Sequence, residues 1–295
     1  MVEQKPARLR DPIRCLSGHG PVSSIRMQLR GLLSFCTMHS AASRGKGVRT
    51  FAIRPVTYAI DVYLDIKSPH SYLIVKPALQ LEDDYNCTVT FKPYDLSYVA
   101  MGISTVHDPK DPKRRPANAQ AERRAKMYYS VAREYARMMG IEIRGPHSLL
   151  TSTAANMGIL FTAQEGKAHA YTEAVYRAGW PSGWRDYDVQ SIDQLQNTMR
   201  SVGLSEQSVL AFAKYVANGE GERELAECMK EAEESGIVGV PHVVFELRGR
   251  RTGWFGREHL SFVRHVMHDR GLARRADVRA PISHYWPGGS VTVPS

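Results

Sequence analysis

Two short tracts of β-branched, alternating sequence stand far apart in the chain, and almost everything between them has the composition of helices. The first is Tyr58-Ala-Ile-Asp-Val-Tyr-Leu-Asp65, followed at Cys87 to Tyr94 by a second run that Pro93 ends. Between them, apolar residues from Tyr72 to Leu81 recur at helical spacing, with Pro69 at the expected first turn, where a missing N–H costs nothing. Strand, helix and strand in so few residues predict a βαβ unit with parallel strands and a right-handed crossover. From Asn118 to Ser235 Ala, Glu, Arg and Met dominate, Gly and Pro punctuate, and five or six helices are predicted with no strand. Strands return at His242 to Leu247 and Arg251 to Phe255, turned at Gly249, and a last helix is predicted from Arg257 to about Asp269.

This order predicts an α/β chain with a thioredoxin-like layout, in which an all-helical domain is inserted between a βαβ half and a ββα half. The expected division is a thioredoxin-like domain over 56–100 and 236–272, a helical insertion over 101–235, and a loosely packed tail over 273–295. Residues 102–117, rich in Pro and charge, read as an exposed loop.

The formal net charge of +9 is concentrated in one place. Residues 1–55 hold ten basic residues against Glu3 and Asp11, leaving 29 basic and 28 acidic residues in the other 240. The body therefore gives no electrostatic case for nucleic-acid binding. The basic segment, mixing Arg, Ser, Gly and Pro, reads as a cleavable leader or a disordered extension. Cytoplasm is the expected location, or the mitochondrial matrix if the leader is a transit peptide. No run approaches the ~18 consecutive apolar residues of a membrane span, so no membrane partner is expected. Cys15, Cys36, Cys87 and Cys228 are far apart and lack metal-ligand spacing, so neither a metal site nor a disulfide framework is predicted.

Chemistry points to Ser68-Pro69-His70-Ser71, at the junction of the first strand and helix. First-turn amides of a helix have no intrahelical partners and carry partial positive charge, so a thiolate placed there is stabilised. Ser in both candidate positions can form no disulfide and supplies no low-pKa thiol, which excludes dithiol exchange at this site. Two readings of Ser68 stay open on spacing alone: a hydroxyl donating to a thiolate brought in by a cofactor, or a plain N-cap. Val240-Pro241 enters a strand, where a proline frees a backbone edge that an extended ligand can pair with.

With these features in place, roughly Thr57 to Leu272 resembles the kappa-class glutathione transferases and 2-hydroxychromene-2-carboxylate isomerases, within the DsbA-like thioredoxin superfamily. The motifs are Asp65-Ile-Lys-Ser-Pro-His-Ser-Tyr-Leu73, Gly236-Ile-Val-Gly-Val-Pro241 and Trp254-Phe-Gly-Arg-Glu-His-Leu260, with Lys126-Met-Tyr-Tyr129 and Gly183-Trp-Arg-Asp-Tyr-Asp188 between. His70 replaces a usual Tyr, Arg133 stands where relatives often carry Asp, His259 where they carry Arg, and Leu150-Thr-Ser-Thr-Ala154 where an Asn-Thr or Asn-Ser pair is common.

The resemblance implies a glutathione-dependent isomerase acting on a small aromatic or enone substrate, as a homodimer. It implies that Ser68 is catalytic and polarises the glutathione sulfur, and that Val240, before a cis Pro241, pairs with the cysteinyl backbone. Glu258 would receive the γ-glutamyl amine with Arg257 beside it, Lys126 would reach the glycyl carboxylate, and His70 and Tyr72 would face the substrate. A kappa-class-like transferase is the runner-up, and a redox-inactive module binding a peptide or protein along the Pro241 edge is an alternative from another class.

Overall fold

The computed structural model describes residues 57–103 and 118–280. The expected leader, most of the 102–117 loop and residues 281–295 lie outside the described residues. Strand β1 (Tyr58–Leu64) is followed by α1 (Pro69–Asp84) and β2 (Cys87–Pro93). Six helices follow: α2 (Ala119–Met138), α3 (Thr153–Ala163), α4 (Ala168–Gly179), α5 (Ile192–Ser201), α6 (Glu206–Ala217) and α7 (Glu220–Glu234). The chain ends in β3 (His242–Leu247), β4 (Arg250–Phe255), a 3-10 turn (Arg257–His259) and α8 (Leu260–Asp269). The predicted last helix thus splits, because a 3-10 turn precedes its α-helical part.

The sheet order is β2-β1-β3-β4. β1 and β2 run parallel with Tyr58 opposite Cys87 and Leu64 opposite Pro93, while β3 pairs antiparallel with β1, Tyr63 opposite His242, and with β4. Side chains alternate across the sheet, so two cores form. On one face Ile60, Val62, Leu64, Val243 and Phe245 pack with Leu73 and Ile74 of α1 and Val263 and Met267 of α8. On the other, Tyr63 and Val244 meet Cys228 and Ala232 of α7, together with Ile237 and Val240. Cys87 and Cys228 are buried free thiols, raised by burial, to about 12 and about 11 respectively.

Residues 273–280 depart from the expected loose tail. Arg274 Nε donates to the carbonyls of Glu82 and Tyr85, and Arg275 binds the Asp83 carbonyl and the Asp84 carboxylate. Arg264 of α8 reaches the same carboxylate at 2.7 Å, and Val278 is buried. Orphan carbonyls at the end of α1 attract cations, which the composition of the tail supplies.

Among the described residues no helix is long and apolar enough to cross a membrane.

In the helical part, Gly179 closes α4 against the ring of Trp184, and any Cβ there would overlap it. The Gly179→Ala variant is expected to lose about 1–3 kcal/mol of unfolding free energy in urea titration, as overpacked cores do. An unchanged midpoint would show that the Trp184 ring is free to move.

Candidate functional site

The carboxy-terminal end of β1 delivers a buried carboxylate. Asp65 is fully buried. An ionised group there needs compensation at every lone pair, since removing a charge from water costs several kcal/mol. Its Oδ1 accepts from the Lys67 amide (3.1 Å), Ser152 Oγ (2.6 Å) and Asn156 Nδ2 (3.1 Å). Its Oδ2 accepts from the Leu96 amide at 2.7 Å and faces Lys67 Nζ at 3.1 Å. Lys67 is itself buried, pairs with Asp95, and lies over the Tyr98 ring at 5.5 Å. Burial pulls the Lys67 ammonium pKa down, but Asp65 and Asp95 more than offset this and hold it above the ordinary lysine value.

This cluster fixes the turn that starts α1. The Ser68 amide donates to the Asp65 carbonyl at 3.0 Å, and Asn156 Oδ1 accepts from the Ile66 amide at 3.2 Å. Tyr176 of α4 donates its hydroxyl to the Asp65 carbonyl at 2.9 Å. Ser152, Asn156 and Tyr176 all belong to the helical part, so the polar cluster binds the two sequence segments at the site.

At the helix start the two serines differ. Ser68 is the N-cap, and its Oγ accepts from the Ser71 amide at 3.2 Å. That contact uses a lone pair and leaves the hydroxyl proton available to a ligand. Ser71 is fully buried, and its Oγ accepts from the Asp65 amide at 3.3 Å. Of the two serines, Ser68 keeps a small exposed surface, 6%.

The cis Val240–Pro241 bond is present. Extending the β1–β3 register places Val240 and Pro241 beside the end of β1, next to the Ser68 turn. The Pro241 carbonyl accepts from the Gly256 amide at 2.9 Å. Gly256 has φ +112°, and a Cβ on it would overlap the Glu258 carboxylate, which folds back over this glycine. Glu258 and the cis-proline edge are therefore neighbours.

His70, half-buried in the first turn of α1, lies 3.1 Å through Nε2 from the Tyr128 carbonyl of α2. Burial lowers its pKa, Arg257 adds to the effect, and Glu258 and the Tyr128 hydrogen bond oppose it. The Arg257 guanidinium stacks on Tyr135 of α2, 3.4 Å from the ring centroid. Ser68, His70, Val240, Pro241, Arg257 and Glu258 thus gather around one end of the sheet.

Two expected site residues are placed otherwise. Tyr72 is packed into the core, its ring stacked on Tyr176 at 5.1 Å, so it offers little surface to a substrate. It falls on the inner side of α1, between Ser71 and Leu73, which are also buried. Lys126 is exposed on α2, and among the described residues no ion pair or hydrogen bond joins it to the others. Asp65 opens one of the sequence motifs and Ser152 lies in the Leu150–Ala154 tract, but the sequence assigns neither a site role, and Asp95, Asn156 and Tyr176 stand in no motif. The available signal was an acidic residue ending an apolar strand, a position that must bury its charge or leave the sheet.

Asp65→Ala is expected to destabilise the fold by about 3–5 kcal/mol, because it strips a buried cation of one counter-charge and leaves several donors unsatisfied. Asp65→Asn should cost less, and equal midpoints for wild type and Asp65→Ala would refute the dependence. Burial also lowers the pKa of His242. For His70 and His242 the folded-state value lies below the unfolded value, so the stability they favour is full above the unfolded pKa of about 6.5 and is lost as pH falls below it. Denaturant midpoints measured between neutral and mildly acidic pH should fall, and less steeply in His242→Gln.

A family model of the DSBA-like thioredoxin domain matches residues 59–268. A 2-hydroxychromene-2-carboxylate isomerase of Pseudomonas putida is 24% identical over 208 residues, covering 70% of this chain and 93% of that protein. The enzyme of the same name from Sphingobium xenophagum is 23% identical over 186 residues, covering 63% and 88%. A solved structure of 2-hydroxychromene-2-carboxylate isomerase superposes with a TM-score of 0.56 at 23% identity, covering 72% of this chain and 96% of that one. With the matched region spanning both strand-bearing halves and all the helices between them, the chain belongs to the DSBA-like thioredoxin domain family.

Proposed function

We propose that this chain is an isomerase of the 2-hydroxychromene-2-carboxylate isomerase type that uses glutathione as its thiol. The observation that carries this reading is Ser68, an N-cap hydroxyl at the start of α1 whose proton is uncommitted, set where a dithiol enzyme would carry sulfur. With Ser71 buried and engaged, the chain has no dithiol at this place.

The residues present fit a γ-glutamyl tripeptide at two of three points. The Glu258 side chain is exposed and held by no ion pair or hydrogen bond among the described residues, so a ligand ammonium can pair with it. Val240 takes part in no turn, loop or cap hydrogen bond among the described residues, which leaves its backbone for an extended ligand. The third point, Lys126 for a glycyl carboxylate, has no contact tying it to the site; Arg257 is the cation beside Glu258.

When bound, glutathione supplies the nucleophilic thiol that the chain lacks here, for reversible addition to a conjugated enone. Ser68 Oγ–H donates to the sulfur, and the first-turn amides of α1 favour negative charge at that place. Val240 orients the ligand along the strand edge, and Glu258 fixes its amino end.

Calorimetric titration of glutathione into the full chain is expected to show one saturable site, weakened in Glu258→Ala. Ser68→Ala should keep the fold and slow enone isomerisation by about 10- to 100-fold, the worth of a hydrogen bond of about 1.5–3 kcal/mol to a charged group. Glutathione left unconsumed at completion supports isomerase, whereas an accumulating adduct supports the transferase alternative. Unchanged turnover in Ser68→Ala refutes the assigned role.

A further inference from the structure

Helix α2 presents a face that the other described residues leave uncovered. Of nine large hydrophobic residues exposed among the described residues, five stand on it: Met127, Tyr128, Val131, Tyr135 and Met138. Single exposed apolar side chains are ordinary, whereas several along one helix make a contiguous patch of the kind that marks an interaction surface. The spacing narrows the choice of partner. Tyr128, Val131, Tyr135 and Met138 stand three, four and three residues apart, the interval of a helix–helix seam, and a further step of four towards the amino terminus reaches Arg124. From Arg124 to Met138 this stripe is about 21 Å long at the helical rise, the length of a four-turn helix. Two of its rings are held in advance, Tyr128 edge-on to the His70 ring and Tyr135 beneath the Arg257 guanidinium, which lowers the cost of ordering them in a complex.

Charge identifies what fits the stripe. Helix α2 carries five cations against two carboxylates, Glu122 and Glu134. Arg137 pairs with Glu134, but Arg123, Arg124, Lys126 and Arg133 are exposed and have no ion pair or hydrogen bond among the described residues. At about 3.6 residues per turn Arg123, Lys126, Arg133 and Arg137 run along one side of the stripe, and Arg124 lies within it. An apolar seam with a positive rim is complementary to a helix whose own apolar stripe is edged by carboxylates. A second copy of α2 would bring two helices of the same positive sign together, so charge opposes self-pairing on this face. A bilayer surface is entered through Trp, Phe and Leu, none of which the stripe contains, and the cation inside the stripe opposes insertion.

We propose that this face of α2 is a docking surface for an acidic amphipathic helix of a partner protein. The partner's apolar stripe lies on Tyr128, Val131, Tyr135 and Met138, and its carboxylates meet Arg124 and the cations of the rim. The surface is separate from the Pro241 edge and requires no thiol ligand, so it stands or falls independently of the isomerase reading.

The test is fluorescence anisotropy on the full chain with two labelled synthetic helices, each with Leu at the seam positions and flanked in one by Glu and in the other by Lys. The Glu peptide should bind saturably and more weakly as salt is raised, and the Lys peptide should not bind. Val131→Asp, which sets a carboxylate in the seam, should weaken the Glu peptide by about 10-fold or more, with the fold checked by circular dichroism. Met138→Asp, at a side chain 84% exposed, should do the same and covers the case in which Val131→Asp does not fold. Arg124→Glu should weaken the Glu peptide and strengthen the Lys peptide, a reversal that loss of structure would not produce. Equal affinity for the two peptides, or unchanged affinity in the folded seam variants, overturns the proposal. Binding to phosphatidylcholine–phosphatidylserine vesicles without binding to the Glu peptide overturns it in favour of a membrane surface. Self-association in sedimentation velocity that Val131→Asp abolishes overturns it in favour of an interface between copies of this chain.

Discussion

The Asp65 carboxylate is the constraint on which the site depends. A single charge at the end of a buried strand cannot stay ionised unless every lone pair is met, and the chain meets them from four separate places. Lys67 and Leu96 come from the sheet half, Ser152 and Asn156 from the helical part. Lys67 in turn requires Asp95, whose other oxygen accepts from Thr153 Oγ1 at 2.6 Å. An apolar residue at position 65 could pack as well and would keep the main-chain contact from the Ser68 amide, but it could not hold the Lys67 and Leu96 amides and the helical part through Ser152 and Asn156 together. The buried charge therefore costs stability that hydrophobic packing of Ile60, Val62 and Leu64 must offset, and it yields a fixed geometry at the start of α1.

That geometry explains why two serines of the same motif have different fates. A helix start has four donors without partners. Ser68 Oγ takes one of them from Ser71, while Ser71 Oγ turns back to the amide of Asp65. Both hydroxyls accept a backbone amide, and burial separates them: Ser71 is enclosed inside the turn, while Ser68 is left at its rim with a proton to give. Sulfur in the same positions would offer disulfide exchange, whereas oxygen cannot, so the motif carries no dithiol of its own.

The strands and helices were legible because each is a local pattern. β1, β2 and β3 carry alternating or continuous β-branched runs, α1 is marked by Pro69 and its apolar spacing, and the Val240–Pro241 step precedes an unmistakable strand. Ser68 and Glu258 were readable as candidates from motif position. The Asp65 cluster was not, because its partners lie 87 and 91 residues away in sequence and consist of a Ser and an Asn that have no pattern of their own. The inward placement of Tyr72 was equally hidden, since motif order says nothing of which way a first-turn residue faces until α4 is laid against α1. Docking of the 273–280 segment escaped for the same reason: Arg274 and Arg275 read as solvated charge until the carbonyls ending α1 are placed beside them.

The sheet half and the helical part share buried cores, but helix α2 meets the sheet half chiefly at the rim of the site. Ala132 and Ala136 are its buried residues beyond the first turn, small side chains that let it approach α1 closely, while Tyr128, Val131, Tyr135 and Met138 remain exposed along one face. Such a helix gains little from burial, so its position is set by specific contacts at the rim of the site. Two of these come from the sheet half: His70 to the Tyr128 carbonyl, and Arg257 on the Tyr135 ring. Both contacts use residues of the candidate site. The same His70 and Arg257 that lie at the mouth beside Ser68 therefore also carry the contacts that seat α2 there.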